Sequence, residues 1–105
     1  YVSTKSEILI YIVKYYFSRE DFIKTDECIQ RFLLTIDIEP NILARSKMIN
    51  EAIKLLIEPA NFGNIKQFDR IINVLLEKIE SPYYKMESWL NKLTFMPNMR
   101  IRKSY

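Results

Sequence analysis

A chain of 105 residues, 49% hydrophobic and 28% charged with a mean hydropathy of -0.13, has the size and balance of one soluble globular domain rather than a membrane protein. It carries no histidine, one cysteine and one glycine. That excludes Cys/His zinc sites, Ser-His-Asp and Cys-His catalytic sets, internal disulfides and Gly-rich phosphate loops within these residues.

The net charge is +3, and four of the 16 basic residues (Lys92, Arg100, Arg102 and Lys103) follow the last acidic one, Glu87. Taking those four away leaves 12 basic against 13 acidic residues, so the body is near neutral and the basicity belongs to the C-terminal end. Opening on Tyr1, with neither an initiator Met nor a charged-then-apolar leader, the chain is expected to be a domain excised from a longer protein.

Thr4 with Glu7 three positions on has capping-box spacing, which predicts a first helix from about Lys5 to Phe17. From Ile8 to Phe17 only Lys14 interrupts the apolar residues, a run far shorter than the roughly 20 residues of a membrane span. Its β-branched and aromatic content would also suit a strand, but it lacks alternation and has no hairpin partner. A helix apolar nearly all round is expected to lie between others.

Ser18 to Asp21 is a polar interruption, and Thr25 is the expected N-cap of a second helix through Cys28, Ile29, Phe32, Leu33 and Ile36. Phe22 and Ile23 then fall in the connection, either exposed or tucked beneath it as a hydrophobic staple. Cys28 reads as a small buried hydrophobe.

Pro40 suits the first turn of a third helix through Ile42, Ile49, Ala52, Ile53 and Leu56 to about Ile57, which Glu58 and Pro59 end. A connection with Phe62 at its tip leads to the most legible stretch, Asn64 to Ser81. Here Ile65, Phe68, Ile72, Leu75 and Ile79 recur at helical spacing behind an Asn64/Gln67 capping box, between Gly63 and Pro82. Ser81 and Pro82 open a fifth helix through Met86, Trp89, Leu90 and Leu93, which Pro97 is expected to stop. The expected organisation is an all-α bundle of about five helices over residues 1–96, with 97–105 as a basic tail or linker.

If consecutive helices run antiparallel, the first and third connections share one end. Phe22, Ile23 and Phe62 would then meet beside Asp21 as an apolar rim with one carboxylate.

The Asp21-Phe22-Ile23 connection, the Cys28-Ile29 pair, the run Ile42-Leu43-Ala44, the Met48-Ile49 and Ile53-Lys54 spacing, and the stretch from Phe62 to Ile65 carry a further pattern. From Ile8 to Glu80 the chain resembles the N-terminal domain of the transcription elongation factor TFIIS and its relatives, the integrase-binding domains. It departs from them in placing Leu75, Leu76 and Ile79 where that family has a tryptophan, its own Trp89 lying beyond. The resemblance implies a non-enzymatic, nuclear docking module with no cofactor. Such a module binds short disordered segments of transcription- or chromatin-associated proteins by a phenylalanine anchor. In this role Asp21 would accept backbone hydrogen bonds, and Phe62 and Ile65 would line the pocket.

Other classes use other residues. Arg100, Arg102 and Lys103 offer weak, salt-dependent nucleic-acid contact. Tyr11, Tyr15, Tyr83, Tyr84 and Trp89 serve either the core or an oligomeric or scaffold interface, and a viral Bcl-2-like bundle with a helix-binding groove also fits the composition. The neighbouring carboxylates Glu20/Asp21 and Asp26/Glu27 suit helix N-termini better than catalysis, so no enzyme is expected.

Overall fold

The computed structural model describes residues 2–57 and 64–104, with side-chain surroundings as far as residue 94. Five helices follow one another: α1 (Val2–Ser18), α2 (Phe22–Ile36), α3 (Ile42–Leu56), α4 (Ile65–Lys78) and α5 (Pro82–Ser104). The fold is the expected all-α bundle, and the described residues contain no strand. No described helix is long and apolar enough to cross a membrane.

α5 opens at Pro82 as expected, but several other termini are set by caps that differ from the expected ones. α2 starts three residues before Thr25, because the Asp21 carboxylate accepts the Lys24 N–H at 3.2 Å and so takes the N-cap position. Thr25 lies inside the first turn, fully buried, with its hydroxyl donating to the Asp21 carbonyl at 2.8 Å. Likewise Asn41, not Pro40, precedes α3, its side-chain oxygen accepting the Ala44 N–H at 3.0 Å. At α4 the expected capping box is not formed: the Asn64 side chain makes no cap bond, and Gln67 accepts instead from Arg70 at 2.8 and 3.0 Å. α5 continues past Pro97 to Ser104, so the helix is not stopped there. A proline inside a helix removes its own N–H donor and crowds the carbonyl four residues back, a cost that this helix carries rather than ending.

The core is one cluster drawn from the first four helices and Ile79. Ile10, Val13 and Phe17 of α1 meet Ile29, Phe32 and Ile36 of α2, Ile49, Ile53 and Leu56 of α3, and Phe68, Ile72 and Leu75 of α4. The Phe17 ring packs edge-on against Phe22 at 5.5 Å and Phe68 at 6.2 Å, which adds quadrupolar attraction to apolar burial.

α1 is not enclosed as its composition suggested. Only the face Ser6, Ile10, Val13 and Phe17 is buried, whereas Ile8, Tyr11, Ile12 and Tyr15 stay exposed. The molecule measures 46 × 30 × 17 Å, and 17 Å is about two helices deep, so each helix keeps an outer side. On that side Lys14 lies 5.6 Å over the Tyr11 ring and Arg19 lies 5.2 Å over Tyr15, placing cations against the rings.

α5 is joined to the bundle by polar contacts. Asn50, wholly buried on α3, accepts from the Ser88 hydroxyl at 2.6 Å and donates to the Glu87 carboxylate at 2.8 Å. One turn earlier the buried Ser46 oxygen accepts the Ser81 N–H at 3.0 Å. On α4, Asp69 lies 3.0 Å from the Lys92 ammonium, which also donates to the Asn73 side-chain oxygen at 2.6 Å. Removing one partner of such a buried pair exposes the desolvation cost of the other. Asn50→Ala is therefore expected to lower stability by about 1–3 kcal/mol, read as a lower urea midpoint at unchanged slope.

Candidate functional site

The corner between α1 and α2 carries most of the expected rim. α1 closes with the Asp21 N–H bonded to the Tyr16 carbonyl and the Glu20 N–H to the Phe17 carbonyl, both at 3.0 Å, the paired bonds of a Schellman motif. Glu20 therefore occupies the left-handed position, with φ 60°, that glycine usually fills. Its carboxylate accepts from the Asn64 side-chain amide at 3.1 Å, which brings the start of α4 to the first connection.

Asp21, Phe22 and Ile23 thus lie near the start of α4, where Ile65 packs half-buried against the core. Their surroundings differ. The Asp21 carboxylate is engaged as a cap, Phe22 is tucked against Phe17, and Ile23 is 76% exposed. Phe62 lies outside the described residues, and the side chains of Arg100, Arg102 and Lys103 lie outside the described ones. In the body four cations of α3, α4 and α5 pair with carboxylates, as Arg45–Glu80, Lys54–Glu87, Arg70–Asp26 and Lys92–Asp69.

A larger concavity lies at the other half of α1, one that sequence reading did not find. Between the N-terminal half of α1 and the side of α3 runs a groove of about 810 Å³, within the size range of ligand-binding clefts. Ile10, Phe32 and Ala52 form a buried apolar floor, with Met48 and Leu55 on the α3 wall. Glu7, Glu39, Lys47 and Glu51 stand around it.

The room comes from small side chains, because Ser3 and Ser6 of α1 look across at Ala44 and Ala52 of α3. The Ser6 hydroxyl donates to the Ser3 carbonyl at 2.9 Å and lies 3.9 Å from the Met48 sulfur. The available signal was the Ser/Ala spacing on two helices, which has meaning only once those helices are known to face each other.

Cys28 is half-buried on α2, and desolvation pushes its thiol above the usual range, against the lowering pull of Arg31. Among the described residues no three His, Cys, Asp or Glu side chains gather as a metal site. No family model, curated protein or solved structure matches this chain.

The strained corner can be tested. Glu20→Gly and Glu20→Ala both remove the acceptor of Asn64, but only Ala keeps a Cβ in the left-handed region. Glu20→Gly is expected to be the more stable of the two by about 1 kcal/mol in chemical denaturation.

Proposed function

We propose that this domain is a non-enzymatic docking module that takes a short, otherwise disordered segment of another protein into the groove between α1 and α3. The observation that carries this reading is the groove itself: about 810 Å³ over a buried floor of Ile10, Phe32 and Ala52, with Glu7, Glu39, Lys47 and Glu51 among its lining. Apolar anchors entering such a floor supply affinity and the polar edge fixes register. Ordering a disordered ligand costs entropy, so affinity is expected in the micromolar range.

The resemblance to the TFIIS N-terminal domain supports the same class of function. It would make the partner a transcription- or chromatin-associated segment with a Phe anchor, and the location nuclear. On that version the segment docks at Asp21, Phe22, Ile23 and Ile65, with Phe62. An amide NMR titration with amphipathic peptides bearing Phe or Leu anchors separates the two surfaces. The groove reading expects shifts at Ser6, Ile10, Met48 and Ala52, weakened at least about tenfold by Ala44→Leu, which fills the groove without touching its floor. Shifts confined to residues 20–24 and 64–68 would move the function to the corner, and no shift at either surface would reject docking.

A second reading is favoured by α5. Tyr83, Met86, Leu90 and Leu93 are all exposed, at 69%, 67%, 57% and 49%, and their three-four-three spacing is that of a coiled-coil seam. Core packing accounts for Tyr84 but leaves Tyr83 and Trp89 outside, and aromatics and Met in such positions suit an interface. Self-association along α5 is expected to appear as a concentration-dependent mass in sedimentation equilibrium, lost in Leu90→Lys. A monomer at all concentrations would remove this reading.

A further inference from the structure

The groove has a sign opposite to that of the whole chain. The sequence holds more basic than acidic residues, 16 against 13, yet three carboxylates and a single cation line the groove. We propose that its occupant is a cationic amphipathic helix of a partner protein, with apolar side chains on the floor and Lys or Arg side chains over Glu7, Glu39 and Glu51. This rests on the docking reading above and adds the chemistry of the ligand.

α3 divides its cations between the rim and the side toward α5. Arg45 donates to the Glu39 carbonyl at 2.7 Å and pairs with Glu80 at 2.9 Å, while the Glu39 carboxylate accepts the Asn41 N–H at 3.3 Å. Lys54 is divided between Glu51 at 3.8 Å and Glu87 at 3.7 Å. Lys47 remains as the groove's own cation, and no ion pair to Glu7 is made among the described residues. With Lys54 held partly at Glu51, the lining keeps an excess of carboxylates over cations, and a ligand of the same sign would be disfavoured while its apolar anchors were drawn in.

The shape favours a helix. Along α3 the groove is lined from Ala44 to Leu55, a path of about 16 Å at 1.5 Å per residue, or three turns. A helix laid into it presents anchors at i, i+3/i+4 and i+7 to the floor and keeps its polar face over the rim.

The test uses two designed peptides of about twelve residues with identical Leu anchors at that spacing, one carrying Lys and the other Glu on the polar face. Each is titrated into the isotopically labelled chain at low and at moderate salt. The Lys peptide is expected to shift Ser6, Glu7, Ile10, Met48 and Glu51. It should bind about tenfold more tightly than the Glu peptide at low salt, as three exposed ion pairs worth about twofold each imply. Added salt should narrow that gap.

The double substitution Glu7→Gln with Glu51→Gln changes only exposed side chains and so keeps the fold, which its amide spectrum verifies. It should bring the two peptides within about threefold of each other while groove binding persists. Equal binding of both peptides at the groove of the unaltered chain would overturn the cationic assignment and leave docking standing. Absence of groove shifts with either peptide would overturn both.

Discussion

A helix of fifteen residues, α3, touches all four of the others, and the rest of the structure depends on how its circumference is shared. Ile49, Ile53 and Leu56 go to the core, while Ser46 and Asn50 go to α5 through buried hydrogen bonds. Arg45 and Lys54 take the side toward Glu80 and Glu87. What remains faces the N-terminal half of α1 with Ala44 and Ala52, residues too short to close the gap. The groove is thus the place where a helix with four neighbours runs out of side chain. Around it stand Glu7, Glu39, Glu51 and Lys47, with Lys54 shared between Glu51 and Glu87.

The polar junction with α5 suits that division. Apolar contacts are non-directional and tolerate sliding, whereas an amide that accepts from Ser88 and donates to Glu87 fixes one register. Such a junction leaves α5 with its apolar side outward. The exposure of Tyr83, Met86, Leu90 and Leu93 is therefore the complement of a polar inner side. α1 reaches a similar state by another route. Its apolar residues outnumber the positions a bundle two helices deep can cover, and Lys14 and Arg19 lie over the surplus tyrosine rings.

Much of the fold was legible from the sequence, and the gaps have physical causes. The five helices and their buried residues follow from spacing, as with Phe68, Ile72 and Leu75 in α4. Helix starts were less so. Asp21 and Thr25 both have the chemistry of an N-cap, and the choice between them depends on the Schellman turn that delivers the chain to Asp21. Asn64 also has capping chemistry, but the neighbouring Glu20 carboxylate supplies a tertiary acceptor that local pattern cannot reveal. Phe22 and Ile23, expected in the connection, instead open α2 behind the Asp21 cap. Phe22 packs on Phe17 and Ile23 faces solvent. The groove was invisible for a stronger reason: it consists of side chains that are not there, and small residues carry no periodic signal.

The two candidate surfaces differ in what holds them. The corner at Asp21 and Ile23 depends on a turn with a non-glycine residue in left-handed backbone, a conformation costing about 1 kcal/mol that surrounding contacts must offset. The groove walls are the sides of two helices whose inner faces are wholly buried, Ile10 and Val13 in one and Ile49 and Ile53 in the other. A site on such elements keeps its shape without a ligand, and sites on helices are held more precisely than sites on loops. When the ligand must itself become ordered, a receptor that is already ordered leaves only one side of that entropy cost to be met. That asymmetry supports the proposed groove over the corner, where the Asn64–Glu20 hydrogen bond joins the α1–α2 turn to the start of α4.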